Sequence, residues 1–461
     1  MATTIMKFGG TCVEDADAFR RVVDIVKSHA SSTPVIVVSA MSRVTDALLN
    51  SVDLAAKGDP VTALDSLVEH LQRHLDVAEA LMADPLPISD TVAAARTEIA
   101  TLLNKVNEQQ NSRPALQDEI VSFGERLSAD LLASVIDEAG PRTQYVDSRR
   151  LIITNRDHGR AEPIVDLTNE KTRSILTPLL RENVVPVCGG FIAASVDGTT
   201  TTLGRGGSDY TAAIVAAALN ANELEIWTDV PGVLTADPRV LPEARTIPRL
   251  SYGEAAELAF FGAKVLHPKT IQPAVEQNIP VHICNARSPE TEGTIVCRQT
   301  EVSPHSVKAI AHKTGITLIQ ITSARMLGAH GFLHAIFEIF NRYRTEIDVV
   351  TTSEVSVSIS LDDATALPDI ANELRRLGEV HIERQRAIIC VVGEGLRGTP
   401  GVAARVFGCL SDINVSLISQ GASRINLTFV VEEEKVREVI TRLHDAFLLS
   451  ETVQFAEKVP A

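Results

Sequence analysis

Aromatic residues are scarce in this sequence. Phe, Tyr and Trp make up 4% of the 461 residues, and Trp227 is the only tryptophan. A core of any size must therefore be built from Ala, Val, Ile and Leu, the composition favoured by α/β proteins. Cysteine chemistry is thin as well. Cys12, Cys188, Cys284, Cys297, Cys390 and Cys409 are scattered, with no CxxC pair, which argues against a zinc site or a disulfide framework and for a reducing compartment. No H-E-x-x-H string is present, so no catalytic zinc is indicated. There is no G-x-x-x-x-G-K-[ST], which excludes a P-loop enzyme, and no G-x-G-x-x-G at a strand-to-helix turn, which leaves a dinucleotide fold without support. No apolar run reaches the roughly 18 to 20 residues of a membrane span. The opening MATTIMKFGG shows no charged region followed by an apolar one, so no signal peptide is expected and the location is read as cytoplasmic. Basic residues are outnumbered, 43 to 59, for a net charge of −16. Such a surface repels nucleic acid and anionic membranes.

What is present reads as two or three domains. The first 300 residues alternate buried apolar strands (Thr3–Phe8, Pro34–Ser39, Val184–Cys188, Leu224–Thr228, Val281–Cys284) with helical patterns. The helices are read at Ala16–His29, across a long region from Val44 to Leu103, and at Ser251–Val265, where Ser251 and Glu254 form a capping box. That alternation predicts a mostly parallel sheet covered by helices. From about Arg298 the strands shorten and alternate, as at Thr317–Ile321, Val355–Leu361 and Asn426–Val431. A repeat is visible there. Gly331-Phe-Leu-x-x-Ile-Phe337 matches Gly401-Val-Ala-x-x-Val-Phe407, and Ile347-Asp348-Val349 matches Ile413-Asn414-Val415. The order of elements predicts a duplicated βαββαβ unit.

Three Gly-rich segments carry chemistry. Lys7-Phe-Gly9-Gly10-Thr-Cys12 joins a strand to a helix, where close backbone N–H groups and a lysine suit a phosphate. Leu203-Gly-Arg205-Gly206-Gly207-Ser208-Asp209 precedes an Ala-rich helix. Ser208 and Asp209 alone would serve as caps, but capping needs neither an arginine fork nor three glycines, so an anion or substrate site is the better reading. Thr228-Asp229-Val-Pro-Gly232 follows a strand end, the usual place for ligands in open α/β sheets, although an ordinary turn would account for it.

The blocks KFGGTC, VVSAMSRVTDALL, FGERLSA, TTTLGRGGSDYTAA, IWTDVPGVLTADPRV and SYGEAAELAFFGAKVLHP, spanning residues 7 to 268, closely resemble those of the aspartate kinases, in the same order. The duplicated C-terminal unit resembles their paired ACT domains, and no dehydrogenase region follows, as in the monofunctional members. The resemblance implies an amino-acid-kinase-type α/β domain over residues 1–298 and a regulatory region over 299–461. That region would hold two ferredoxin-like ACT domains, at about 313–385 and at 386–461 with a contribution from 303–312. It implies transfer of the γ-phosphoryl of ATP to the side-chain carboxylate of L-aspartate, giving 4-phospho-L-aspartate, the first step toward lysine, threonine and methionine. Lys7 and Asp209 are implied at the reacting centre. Ser39, Thr45, Glu125, Arg205, Gly206, Gly207 and Ser208 are implied around aspartate, with Arg205 on the α-carboxylate and Glu125 on the ammonium. Lys7, Gly9, Gly10, Thr228, Asp229, Leu234, Arg239, Lys264 and Val265 are implied around ATP. No protein-held metal is implied; Mg²⁺ would arrive on the ATP phosphates. The substrate carboxylate, with a pKa of about 3.9, is already ionised and needs no general base. The Arg205–Glu125 pair argues against rival acids that lack an ammonium, and a sensor without activity would have no need of Lys7, Arg205 and Asp209.

Four positions depart from the family pattern. Cys12 replaces the usual Ser, which would weaken a phosphate contact there. Leu234 stands where bacterial relatives often carry Tyr. Gly328 and Ala329 differ from the polar residues of lysine-sensitive bacterial members. Met326, Ala329, Phe332, Leu333, Asp348, Ser353 and Glu354 resemble the effector site of lysine-sensitive aspartate kinases. Lysine is the first choice of inhibitor and threonine the second, with a homodimer or tetramer paired through ACT domains.

Overall fold

The computed structural model describes residues 3–29, 33–262, 266, 268–298, 300, 307–328 and 330–449. Two compact units emerge: Met1–Val233 with His267–Arg298, and Leu234–Leu266 with Gln299–Ala461. The sequence division at residue 298 differs from this in one segment, 234–266, which belongs to the second unit.

Along the chain the first unit carries β1 (Thr4–Phe8), α1 (Ala16–Ser28), β2 (Val35–Val38), α2 (Val44–Ala56), α3 (Pro60–Asp65), α4 (Val68–Leu81), α5 (Leu86–Glu108) and α6 (Arg113–Glu138). Then come β3 (Thr143–Val146), β4 (Ile153–Thr154), α7 (Val165–Arg181), β5 (Val185–Gly189), β6 (Ile192–Ser195), β7 (Thr200–Thr202), α8 (Gly207–Leu219) and β8 (Glu223–Thr228). The chain enters the second unit with β9 (Arg249–Ser251) and α9 (Tyr252–Phe260), then returns through α10 (Gln272–Glu276), β10 (Val281–Asn285) and β11 (Thr294–Cys297).

The strands of the first unit lie in the order β3-β5-β2-β1-β8-β10-β11. They run parallel up to β10, and β11 returns antiparallel. Strand β2, Val-Ile-Val-Val, is buried throughout because helices cover both faces of a parallel sheet. Central β1 places Lys7 opposite Val37 and Ile226, one residue from its carboxyl end. The helical region expected from Val44 to Leu103 is interrupted at Gly58-Asp59-Pro60, where Gly58 has φ 99° and the Asp59 carboxylate caps the Thr62 N–H, and again at Pro85. Helix α6 is absent from the sequence reading. It is buried along most of its length, from Asp118 to Ile136, so a one-faced apolar period never develops.

The second unit continues with β12 (Ala309–Thr322), α11 (Phe332–Arg342), β13 (Val350–Thr352), β14 (Ser356–Leu361), α12 (Leu367–Leu374), β15 (Glu379–Val392), α13 (Val402–Gly408), β16 (Leu417–Gln420), β17 (Asn426–Glu432) and α14 (Val436–His444). Its antiparallel sheet runs β13-β14-β12-β15-β17-β16. Strands β12 and β15 are long, and their pairing shifts register around Lys313–Ile316. One βαββαβ set uses the later half of β12 and the earlier half of β15; the other uses the remaining halves, with β12 supplying its last strand. Each set has its own aliphatic core, around Ile336, Phe340 and Ile359 in one and around Val406, Phe429 and Ile440 in the other. The repeated glycines are the left-handed N-caps of α11 and α13, Gly331 at φ 81° and Gly401 at φ 85°, a conformation that favours glycine. Helix α9 begins with the expected Ser251–Glu254 capping box and stops at Phe260, before the expected Val265. Among the described residues no helix is long and apolar enough to cross a membrane.

Candidate active site

At the carboxyl edge of β1 and β2 the first unit encloses a cavity of about 620 Å³. Lys7, Gly10, Ser39, Thr45, Glu125, Arg205, Gly206, Gly207, Ser208 and Asp209, all named from sequence, line it. Strand β1 delivers Lys7 and the first turn of α8 delivers Asp209, with 2.6 Å between Lys7 Nζ and Asp209 Oδ1. The side chains are 11% and 16% exposed. The contact is one of charge, since Asp209 Oδ1 accepts no aligned hydrogen bond. Gly10 packs tightly enough that a Cβ would stand 2.8 Å from the Ala40 carbonyl oxygen. Gly206 caps α8 at φ 73°, which turns the chain so that α8 starts at the cavity.

Helix α6 contributes Glu125, and its carboxyl is 3% exposed. Burial pushes its pKa up to about 8, against the pull of the Ala40 backbone and its own N–H. Glu125 Oε2 is buried and has no partner among the described residues. Arg205, in the loop between β7 and α8, is exposed and forms no ion pair or hydrogen bond with any described residue. One cavity thus holds a buried acid short of a cation and a free guanidinium fork. That combination suits a zwitterion.

Residues the sequence reading missed complete the wall. Asp118, two turns before Glu125 on α6, is 2% exposed, and burial raises its pKa while four hydrogen-bond donors pull the other way. Thr202 and Phe191 also line the cavity. Phe191 has φ 65° and cavity-lining Arg43 φ 69°, both uncommon for residues with a Cβ. The spacing of Asp118 and Glu125, seven residues apart on one helix, is a signal the sequence offered once α6 is recognised.

Several expected residues stand elsewhere. Gly9 donates its N–H to the Trp227 carbonyl at 3.2 Å, and Thr228 Oγ1, at the end of β8, donates to Asp229 Oδ1 at 3.3 Å; none of the three lines the cavity. The Cys12 thiol donates to the Trp227 carbonyl at 3.4 Å in a buried position, and burial pushes its pKa up to about 11. The weakened phosphate contact inferred for Cys12 therefore gives way to a packing role, because its sulfur is committed to the backbone. Leu234 and Arg239 belong to the second unit, where Leu234 bridges Thr246 and Arg239 forks onto Asp237 at 2.6 Å. Lys264, Val265 and Ala329 lie outside the described residues. The Asp348 side chain is 7% exposed and pairs with Lys313 at 2.7 Å, and its Oδ2 has no partner among the described residues. Met326 and Phe332 pack on the adjoining core, Leu333 and Glu354 are exposed, and Ser353 bonds Ser356 at 2.8 Å in the β13–β14 turn. Among the described residues no three His, Cys, Asp or Glu gather as ligands for a metal ion.

The helix-wrapped parallel sheet, its strand-end cavity and the doubled antiparallel domain define the class: an amino acid kinase carrying ACT domains. The amino acid kinase family model matches residues 2–285 and an ACT domain model matches 389–447. The chain is 38% identical over 453 residues to the lysine-sensitive aspartokinase 3 of Escherichia coli, covering 95% of this chain and 98% of that one. With the chloroplastic aspartokinase 3 of Arabidopsis thaliana the identity is 34% over 472 residues, covering 99% and 84%. The crystal structure of E. coli aspartokinase III with aspartate and ADP superposes with a TM-score of 0.80 at 38% identity, covering 96% of this chain and 99% of that one. The same enzyme with lysine and aspartate gives 0.82 at 39%, covering 97% and 99%. The chain belongs to the aspartokinases and is an ATP-dependent aspartate kinase.

Proposed function

We propose that the cavity of the first unit binds L-aspartate between Glu125 and Arg205 and presents its side-chain carboxylate to the γ-phosphoryl of ATP beside Lys7 and Asp209. The observation that carries this reading is the pairing, in one cavity, of the unpartnered buried Glu125 oxygen with the unengaged Arg205. The substrate ammonium would restore to Glu125 the opposite charge it lacks, and the arginine fork matches the α-carboxylate in two parallel bonds. Ser39, Thr45 and the Gly206–Ser208 turn would hold the remaining polar atoms.

In the reaction a β-carboxylate oxygen bonds to the γ-phosphorus as the bond to the β–γ bridging oxygen breaks. ADP keeps that electron pair and 4-phospho-L-aspartate forms. The chain's task is to bring two anions together and hold them in line. Lys7, with Gly9 and Gly10, is assigned to the transferring phosphate, and Thr228 and Asp229 to the nucleotide. Mg²⁺ arriving with ATP would spread charge over the phosphates, consistent with carboxylates that are already paired or buried at the cavity. Asp209 would orient Lys7 and would not act as a base, since the nucleophile is ionised before it binds.

For the second unit we propose inhibition by L-lysine through Asp348, whose free, buried Oδ2 suits an ammonium, with threonine as the second candidate effector. Assembly through ACT domains as a homodimer or tetramer, a cytoplasmic setting, and a place at the head of lysine, threonine and methionine synthesis complete the reading. The test is an assay of the full chain with Mg-ATP and L-aspartate, trapping the acyl phosphate with hydroxylamine, with and without lysine. Hydroxamate that lysine suppresses supports both assignments. Hydroxamate indifferent to lysine removes the effector assignment, and none from aspartate removes the substrate assignment. Light scattering with and without lysine gives the oligomeric state.

A further inference from the structure

One cavity-lining carboxylate has no part in the chemistry above. Asp118 is 2% exposed, and both of its oxygens are spoken for. Oδ2 accepts from His158 Nδ1 at 2.8 Å, from the Gly159 N–H at 3.1 Å and from the Thr202 N–H at 3.2 Å, while Oδ1 accepts from Thr202 Oγ1 at 2.7 Å. An acid so saturated has little left to offer a ligand. It ties two separate segments to helix α6: the turn at residues 157–160, closed by the Arg160 N–H to the Asp157 carbonyl at 3.1 Å, and the end of β7. The two segments are also joined directly, by the Ala161 N–H to the Thr202 carbonyl at 2.8 Å.

Three residues after Thr202 comes Arg205. Between them, Gly204 has φ 76°, and a Cβ there would stand 3.1 Å from the Gly159 carbonyl oxygen. The backbone that carries Arg205 therefore rests on the turn that Asp118 holds. The guanidinium of Arg205 is exposed and engages no other described residue, so its placement depends on that backbone.

We infer that Asp118, with His158, is a positioning residue for the carboxylate-binding end of the aspartate site. It references the Arg205 loop to α6, the helix that also carries Glu125 two turns further on. The two groups that would grip the substrate's opposite charges thus hang from one rigid element. An amide at position 118 can keep its oxygen on the three N–H donors and turn its NH₂ toward the Thr202 hydroxyl, but it loses the charge that strengthens every bond of the clasp. The inference rests on the aspartate reading of the cavity, so its test must separate the two.

The experiment is steady-state kinetics of the full chain for Asp118→Asn, Arg205→Lys, the double variant and Thr202→Val, with KM measured for aspartate and for ATP. Asp118→Asn is expected to raise the aspartate KM by about tenfold or more, with the ATP KM within about twofold of wild type. Arg205→Lys is expected to do likewise, because a lysine has no fork. Since Asp118 acts through Arg205, the double variant should exceed the worse single variant by no more than about twofold. Thr202→Val removes one bond of the clasp, and about a threefold rise in aspartate KM is expected even if Asp118→Asn does not accumulate as folded protein. Effects that multiply in the double variant, or equal rises in both KM values, overturn the positioning role. So does an aspartate KM unchanged in Thr202→Val. An aspartate KM unchanged in Arg205→Lys overturns the substrate reading itself, whatever Asp118→Asn does.

Discussion

Lys7 and Asp209 meet across the mouth of the parallel sheet, ammonium to carboxylate at 2.6 Å, one carried by a strand end and the other by a helix start. Each supplies the other's counter-charge. A phosphate entering beside Lys7 would compete with Asp209 for it. Lys7→Met removes the positive charge from the transferring phosphate, and kcat is expected to fall by about 10² to 10³. Asp209→Asn is expected to lower kcat with the ATP KM within a few-fold of wild type. Far-UV circular dichroism checks that both variants fold. Near-normal turnover in Lys7→Met would remove Lys7 from the reacting centre.

Glu125 makes the aspartate site sensitive to pH. Burial raises its pKa from 4.5 to about 8. The folded chain therefore holds this proton more tightly than the unfolded chain does. The stabilising contribution is complete below pH 4.5 and is lost as pH rises through about 8. Aspartate should reverse the trend, since its ammonium favours the ionised carboxyl. Binding near pH 7 is expected to release a proton, and the aspartate KM to fall about tenfold between pH 6 and 8. Titration calorimetry in two buffers of different ionisation heat measures the release. Identical heats in both, or a release that persists in Glu125→Gln, would refute the assignment.

Asp348 offers the cleanest test of regulation. Its side chain is 7% exposed, with Lys313 on one oxygen and no described residue bonded to the other. Asp348→Asn keeps the shape and removes the charge. The lysine concentration giving half-inhibition is expected to rise at least about tenfold, with uninhibited turnover within about twofold of wild type. Inhibition of this variant at wild-type lysine concentrations would exclude Asp348 from the effector site.

The cysteines are expected to be quiet. Cys12, Cys188, Cys284 and Cys390 are buried, and burial raises the pKa of each. A thiol that stays protonated at neutral pH is a poor nucleophile. Labelling with a maleimide at pH 7 should reach Cys297 and Cys409, which are partly exposed, and leave activity intact. Cys12→Ser is expected to change kcat by less than about threefold, because Cys12 Sγ faces the Trp227 carbonyl and lies outside the cavity lining. Rapid inactivation traced by peptide mapping to Cys12 would contradict this.

Much of the fold was legible because its signals are local. Val35–Val38 is apolar at every position, and only a strand covered on both faces reads so. The Ser251–Glu254 box needs four residues of sequence, and it forms. What the box could not reveal is that buried Glu254 also holds Lys308 at 3.0 Å and the Glu394 N–H at 2.8 Å, because those partners arrive from distant parts of the second unit. Helix α6 escaped notice because burial on most sides erases the one-faced period by which helices are recognised. Asp118 escaped with it. The resemblance places segment 234–266 with residues 1–298, whereas compact units follow which apolar faces cover each other, and Ala236 and Leu241 are buried with Val406 and Phe429.

The sequence by itself determined the class of chemistry. Glycines beside Lys7 and Arg205 mark backbone that approaches an anion, and that requirement is written at single positions. It also determined the duplicated C-terminal unit, since a repeat is a property of order along the chain. Only the tertiary structure decided which charges meet. Lys7 faces Asp209 from 202 positions away, Asp118 gathers Thr202 and His158, and Glu125 is buried with one oxygen that no described residue satisfies. Burial and distance set the strength of an electrostatic contact, and both are properties of packing that no local stretch of sequence contains.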